Sequence, residues 1–304
     1  MDTLLPRLFP DAFVRIAWRV APVALVLFAA VDANAFCRST TCQGANCETD
    51  ENECPISGKP LFWKTACVSY SFQKDGTQDL PYEQTQLAVN RAFAAWNNID
   101  CEGGKASINF APTDLVECKK SEYNKEGPNL NVVLFQDDDW TYRGIDGTLA
   151  KTSVTSNQET GEIYDADIEV NAANQELTIT DKAEDVRFDL QAILTHEVGH
   201  FLGIAHSADP SATMYRSYDS GQTSQRYLTQ DDRDALCAIY PTDRAAVCDP
   251  EPLGGFSATC RDADENSGGC SMSSPDRTST KGAVILLSCA IGATTILIRR
   301  RRNR

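Results

Sequence analysis

The chain of 304 residues has few histidines and, in its central part, few basic residues. Its only three histidines are His196, His200 and His206, which fall within eleven consecutive positions. Between residues 36 and 270, 18 Lys and Arg stand against 39 Asp and Glu, a net charge of −21. Such an excess of acid disfavours nucleic acid or anionic lipid as a partner. Solvation accounts for most of these carboxylates, and a minority is available to hold Ca²⁺.

No CxxC pair occurs among the twelve cysteines, which disfavours a zinc site built from cysteine thiolates. Ten of them precede Cys270, and this even number predicts up to five disulfides in an oxidising compartment. Because several of these cysteines lie close together soon after residue 36, the sequence predicts a cysteine-rich extension over residues 36–60 that disulfides staple together. Connectivity does not follow from the sequence, although Cys101–Cys118 and Cys248–Cys260 are spaced as local loops. The ten are Cys37, Cys42, Cys47, Cys54, Cys67, Cys101, Cys118, Cys237, Cys248 and Cys260.

Both ends of the chain have the composition of targeting segments. Residues 1–35 combine three arginines, the apolar run VAPVALVLFAAV and the small residues ANA, which predicts a secretory signal peptide cleaved before Phe36. A membrane anchor is the alternative, but this run is short for a span. Residues 282–298 are apolar and just long enough to cross a bilayer, and the RRRRNR behind them fits the positive-inside rule. The alternative there is a buried core helix. The sequence predicts an exported protein that is held, at least at first, by its tail.

The middle of the chain predicts a mixed α/β (α+β) domain. Residues 61–72 are rich in aromatic and β-branched side chains and predict a strand, and apolar residues at helical spacing predict a helix over 82–99. Two later helices are predicted, one from about Asp189 to Leu202 and one that opens with a capping box at Thr229 and ends before Pro241. Four more segments predict short strands: ASINFAP, NLNVVLFQ, TLAKTSVTS (148–156) and EIYDADIEVN.

The histidines have the spacing of a single metal site. His196 and His200 stand four residues apart on a predicted helix, so both imidazoles can reach one ion. Gly203 is free to take positive φ, which lets the helix stop and the chain turn to bring His206 to the same ion. Three neutral nitrogens leave the fourth tetrahedral position to water, as in catalytic zinc sites. Glu197 is not needed as a ligand, and it is placed to take a proton from that water.

A second group of acidic residues alternates along one predicted strand. The side chains of Asp165, Asp167 and Glu169 point the same way because successive side chains of a strand alternate between its faces. A solvated strand face is one interpretation. A calcium site that includes Asp165 and Asp167 is the other.

The stretch HEVGHFLGIAHS, residues 196–207, resembles the zinc-binding motif of the metzincin endopeptidases. With a serine after its third histidine, it resembles the motif of the matrixin branch in particular. Downstream, SATMY places Met214 where that clan has its Met-turn, the bend beneath the metal. YLTQDDRDALCAIYP resembles the C-terminal helix of matrixin catalytic domains, and GEIYDADIEVN the strand before the active-site helix. The resemblance covers about 61–241. It implies a twisted mixed sheet with an active-site helix, one catalytic zinc, protein or peptide substrates, and structural calcium near the acidic strand.

The sequence departs from that family in three places. No PRCGxPD motif stands before residue 61, so the cysteine-based latency of matrixins is not implied. Matrixins hold a second, structural zinc through further histidines, and this chain has none. The tyrosine ligand of astacin-type members would fall at Arg216, so we interpret Tyr215 as a wall of the substrate site rather than as a ligand.

The C-terminal segment, with Cys270, a polar spacer, an apolar run and arginines, resembles the MYXO-CTERM sorting signals of some Gram-negative surface proteins. That resemblance implies processing near the cysteine and display on, or release from, the cell surface. A plain single-span membrane anchor is the alternative. The predicted organisation is a signal peptide (1–35), a Cys-rich extension (36–60), a metzincin-like domain (61–241), a Cys-containing linker (242–270) and a sorting or transmembrane tail (271–304).

The sequence as a whole predicts an exported zinc endopeptidase in which Glu197 is the general base. An extended substrate is predicted to add to an edge strand over residues 148–156. Two alternatives stay open: a surface adhesion or scaffold protein on an inactive metzincin domain, and a zinc amidase acting on cell-wall peptides.

Overall fold

The computed structural model describes residues 35–42, 44, 46–142 and 148–260. Apart from Ala35, the predicted signal peptide lies outside the described residues, and so does the predicted tail over 271–304. Within the described ranges, no helix combines the length and apolarity that crossing a membrane requires.

A five-stranded mixed sheet is the framework of the domain, and each of its strands falls within a segment for which the sequence predicts one. Its strands are β2 (Cys67–Phe72), β5 (Asn109–Pro112), β6 (Val132–Gln136), β7 (Ala150–Ser156) and β8 (Ile163–Asn171). The spatial order is β5-β2-β6-β8-β7. Neighbouring strands run parallel except for β7, which pairs with β8 antiparallel at one edge. The predicted α/β fold class is therefore confirmed.

Three α-helices of the described part of the chain accompany the sheet: α1 (Tyr82–Ala95), α2 (Leu190–Phe201) and α3 (Gln230–Ile239). Helix α1 ends earlier than the predicted 82–99, and Asn98 then takes a left-handed conformation with φ +56°. The carboxylate of Asp189 accepts a hydrogen bond from the N–H of Ala192 at 2.8 Å and so caps α2. Thr229 and Asp232 form the predicted capping box of α3.

Short two-residue strands form three further pairs. β1 (Cys37–Arg38) is antiparallel to β11 (Ile204–Ala205), and β3 (Asp100–Cys101) is antiparallel to β4 (Gly104–Lys105). β9 (Leu177–Thr178) is parallel to β10 (Phe188–Asp189). Single 3₁₀ turns span Ala183–Asp185 and Ser224–Arg226. The first pair matters most, because it attaches the N-terminal extension to the segment that follows α2.

The main core lies between one face of the sheet and helices α1 and α2. Tyr70 of β2 stacks on Phe93 of α1 with ring centroids 3.7 Å apart, and Phe93 meets Phe201 of α2 edge to face at 5.6 Å. Trp96 is fully buried, and its Nε1–H donates to the carbonyl of Thr195 at 2.9 Å. Because buried aromatic rings and a satisfied indole fix α2 against α1, the functional residues of α2 rest on a rigid support.

Five disulfides join the ten cysteines, as their number predicts, but two suggested pairings are wrong. Cys37–Cys54 and Cys42–Cys47 staple the N-terminal extension as expected. The local loops Cys101–Cys118 and Cys248–Cys260 do not form. The other bridges close long loops because the fold, not sequence spacing, brings their partners together: Cys67–Cys248, Cys101–Cys237 and Cys118–Cys260.

Candidate metal centre and active site

The three histidines converge on one point at the surface of α2. The Nε2 atoms of His196 and His200 lie 3.1 Å apart, and those of His200 and His206 lie 3.2 Å apart. Among the described residues, this is the only group of three His, Cys, Asp or Glu side chains placed to hold a metal ion, and its ligand atoms all lie within 4.8 Å of one another.

Hydrogen bonds on the far side of two rings determine which nitrogen faces the centre. Nδ1 of His196 lies 2.7 Å from the carbonyl of Thr213, and Nδ1 of His200 lies 2.9 Å from the carbonyl of Ile204. A carbonyl only accepts, so each Nδ1 carries the hydrogen and each Nε2 presents a lone pair inward. Burial and the neighbouring His200 also lower the pKa of His196 well below its usual value, which favours the neutral ring.

Convergent lone pairs without a shared hydrogen repel one another, and a cation at their centre removes that repulsion. Nitrogens at ~2.0–2.1 Å from a tetrahedral Zn²⁺ lie about 3.3 Å from one another. The observed spacings of 3.1 and 3.2 Å match this value closely. The residues present therefore fit a zinc ion held by three imidazoles, with one position left for water or substrate.

The chain turns sharply after α2 to deliver His206. Gly203 has φ +87°, and a Cβ placed on it would lie 2.8 Å from the carbonyl oxygen of Leu61. A side chain at this position would therefore be strained and would collide with backbone. Beyond the glycine, β11 pairs with β1, so the stapled extension holds the strand that leads directly into His206.

Met214 is fully buried and packs against Gly199, the residue before His200. A Cβ on Gly199 of α2 would lie 2.1 Å from its Sδ, so only glycine lets the methionine approach the helix this closely. The carboxylate of Asp232 accepts from the N–H of Thr213 at 2.9 Å and from that of Met214 at 3.0 Å. Asp232 thus caps α3 and fixes the turn whose Thr213 carbonyl orients His196.

Glu197 lies beside the histidine centre and is 7% exposed. Its Oε2 lies 2.6 Å from the hydroxyl of Thr152, on the edge strand β7. Burial raises the pKa of the Glu197 carboxyl, while the His200 imidazole and the Thr152 hydroxyl oppose that rise. A carboxyl with a raised pKa beside a metal centre has the properties of a general base.

A cavity of about 600 Å³ opens next to the histidines, between β7 and the chain that follows Met214. It reaches Glu197 and the rings of His196 and His206. Tyr215 lines it, so the structure places this residue at the wall of the cavity and outside the group of three ligands. The cavity is large enough for a side chain of an extended peptide that lies along β7.

The acidic face of strand β8 is buried, whereas one interpretation of the sequence is a solvated face. Asp165, Asp167 and Glu169 are 3%, 1% and 4% exposed, so that interpretation is wrong. They point away from the main core, where Asp167 accepts from the N–H of Val132 at 3.0 Å and Glu169 accepts from Gln136 at 2.8 Å and from Tyr142. The Oδ1 of Asp165 is buried without a hydrogen-bond partner.

Several residues that shape the site have no local signal in the sequence. Arg226 donates to both carboxylate oxygens of Asp189, the residue that caps α2. Arg216, at the cavity wall, forms an ion pair with Glu53 of the stapled extension. Thr152 looks like any polar residue of an alternating strand. Each acts through a partner more than thirty residues away, so only the fold reveals its contact.

Comparison with known proteins places this site in a family. Residues 62–241 match the matrixin (Peptidase M10) family model. The chain is 28% identical to metalloendoproteinase 1-MMP of Arabidopsis thaliana over 188 residues, 61% of this chain and 46% of that protein. It is 27% identical to human neutrophil collagenase over 181 residues, 59% and 33% of the two chains. It is 28% identical to bovine interstitial collagenase over 178 residues, 59% and 32%.

The fold and the histidine centre thus have the arrangement of a metallopeptidase domain. The chain belongs to the matrixin family, whose model matches more than half of its length. The match spans between about a third and a half of the length of these curated relatives.

Proposed function

We propose that this protein is an exported zinc endopeptidase. The observation that carries this function is the convergence of three Nε2 atoms beside the buried carboxyl of Glu197, with that of His200 lying 3.1 and 3.2 Å from the other two. We assign His196, His200 and His206 as the zinc ligands, Glu197 as the general base, and Gly203 and Met214 as support for the ligands.

Zinc held by the three imidazoles supplies a Lewis acid that polarises a carbonyl and acidifies water. The chain supplies the proton path. Glu197 takes one proton from the attacking water as the new C–O bond forms at the scissile carbon. It then gives that proton to the leaving nitrogen as the C–N bond breaks, so the carboxylate is regenerated after each turnover.

We propose that the substrate binds as an added strand along β7. This strand pairs with β8 on one side and has no sheet neighbour among the described residues on the other. Leu149 and Ala150, at its start, line the cavity that also contains Glu197. Backbone hydrogen bonds to this edge would align the substrate, and Tyr215 would contact the side chain that enters the cavity.

Export is supported by the five disulfides, which form and persist in oxidising compartments. We retain the signal peptide over 1–35 and the sorting or membrane-anchoring tail over 271–304 as proposals. The division into an extension (36–60), a catalytic domain (61–241) and a linker (242–270) is likewise our proposal.

A calcium ion at Asp165 and Asp167 stays a prediction. Its support is the burial of three carboxylates on one strand and the unpaired Oδ1 of Asp165. Against it, among the described residues the three histidines are the only group of His, Cys, Asp or Glu side chains placed to hold a metal ion. A proton shared within the cluster is the competing occupant.

The test is hydrolysis of a quenched-peptide library by the purified protein, with and without a zinc chelator. Glu197→Gln is the matched control because it keeps the shape of the side chain and removes its basicity. We expect endoproteolytic cleavage that stops with chelation, returns with added zinc and is nearly absent in the variant.

Two other outcomes would overturn the proposal. A zinc-loaded protein that cleaves no peptide would indicate an adhesion or scaffold role. Cleavage restricted to cell-wall peptides would indicate an amidase.

A further inference from the structure

Thr152 of the edge strand β7 forms a hydrogen bond with the proposed base. Its Oγ1 lies 2.6 Å from Oε2 of Glu197 and 3.1 Å from the backbone carbonyl oxygen of the same residue. Both distances lie within hydrogen-bond range. The hydroxyl is half-buried, and Glu197 is almost fully buried.

A threonine hydroxyl has one hydrogen and two lone pairs, so it cannot donate to both oxygens at once. When Glu197 is a carboxylate, the hydroxyl hydrogen points to Oε2, because bonds to charged acceptors are the stronger ones. The bond engages only one of the two carboxylate oxygens of Glu197, Oε2. It therefore fixes the rotation of the carboxylate about its terminal χ angle.

We infer that Thr152 is a positioning residue for Glu197 that holds its carboxyl in one orientation beside the histidine centre. This inference rests on the proposed function, since it concerns the orientation of the proposed base. It assigns to β7 a second role beyond pairing with substrate, which is to fix the base relative to the substrate strand.

The position in the fold suits this role. Thr152 is paired with Ile168 of β8, a fully buried residue, so its backbone is held by the antiparallel pairing of β7 and β8. Glu197 stands on α2, whose neighbouring Thr195 carbonyl is bonded to the buried Trp96. Two rigid elements thus meet through one hydroxyl, and removing it frees the χ angles of the base while both backbones stay in place.

The test compares Thr152→Val with Thr152→Ser in the zinc-loaded protein. Valine has the shape of threonine without the hydroxyl, whereas serine keeps the hydroxyl. We expect the valine variant to lose roughly 10- to 100-fold in kcat, the range expected for a lost hydrogen bond to a charged group. We expect KM and zinc content to stay unchanged and the serine variant to stay within about threefold of wild type.

A double-mutant cycle supplies a readout that does not depend on turnover. Thermal unfolding is measured on zinc-free wild type, Thr152→Val, Glu197→Gln and the double variant. If the two side chains are coupled, the effect of Thr152→Val on the midpoint changes when Glu197 is already replaced.

The outcomes separate failure of the inference from failure of the function. A wild-type protein that cleaves no peptide contradicts the proposed function, and the unfolding cycle then still tests the contact. A wild type that cleaves peptides while Thr152→Val matches it in kcat contradicts the inference alone. Equal losses in the valine and serine variants also overturn it, because the hydroxyl would then be irrelevant.

Discussion

The protein presents two clusters of residues that bind metals in other proteins, and they are built differently. At the histidine centre, three Nε2 atoms converge, and two of the rings are oriented by carbonyls behind them. On the face of β8 that points away from the main core, three carboxylates follow the period of the strand. Backbone and side-chain donors satisfy Asp167 and Glu169, whereas Oδ1 of Asp165 has no hydrogen-bond partner. Convergence of lone pairs, rather than the number of ligand-type residues, marks a metal site.

The largest expected effect tests whether the three histidines act as one unit. Replacing His206 by alanine should remove both zinc and activity as completely as His196→Ala, because two imidazoles hold zinc much less well than three. The measurement is zinc per mole of protein after dialysis, together with the rate on a quenched peptide. Should His206→Ala keep its zinc and most of its rate, the third ligand is another group and the interpretation of the centre fails.

The next effect separates the base from the ligands. Glu197→Ala should keep zinc and fold, since no ligand is lost, while the hydrolysis rate falls by roughly 10²–10⁴-fold. Zinc analysis and unfolding by circular dichroism verify the intact centre in the same sample. Turnover close to that of wild type would remove Glu197 from the mechanism.

The histidine centre was predictable because its determinants are local. His196 and His200 are one helical turn apart, and Gly203 marks the end of that helix, so eleven consecutive residues predict the whole ligand set. The sheet was predictable for a similar reason, since each strand carries its own alternation. The family resemblance added the Met-turn.

Contacts between distant segments were not predictable in this way. Cys101 pairs with Cys237 instead of the nearer Cys118, because the docking of α3 decides the partner. The burial of Asp165 depends on a covering loop whose Glu122 bonds to the neighbouring Asp167 through its backbone N–H. Neither strand alternation nor charge shows that a loop will cover an acidic face.

The carboxylate cluster should respond to pH in a way that the histidine centre does not explain. Burial, and then the charge of Asp167, raise the pKa of Asp165 to about 9. Glu122 adds to the effect, and Tyr123 also faces this carboxyl. The folded protein therefore holds a proton that the unfolded chain releases near pH ~3.9, so stability falls as pH rises from about 4 towards 9.

Asp165→Asn should flatten this dependence, because an amide is neutral throughout that range. We expect its unfolding midpoint to exceed that of wild type by several degrees at pH 8 and to differ little at pH 4. The control is Glu159→Gln, which replaces a carboxylate in an exposed turn. A midpoint difference between Asp165→Asn and wild type that is the same at both pH values would contradict the protonated carboxyl.

Adding or removing calcium gives the smallest expected effect, and it tests the carboxylate cluster of β8 instead of the histidine centre. If convergence is what makes a metal site, the carboxylates of β8 should hold a proton and little calcium. The unfolding midpoint of zinc-loaded protein near pH 7 should then be the same with millimolar calcium and with calcium removed. A rise with calcium that disappears in Asp165→Asn would establish the ion at this strand, because a ligand that binds only the folded state raises the midpoint with its concentration. In that case the carboxylates of Asp165 and Asp167 must approach one another when the ion binds. Convergence of ligand atoms in the ion-free protein would then no longer separate a metal site from other clusters.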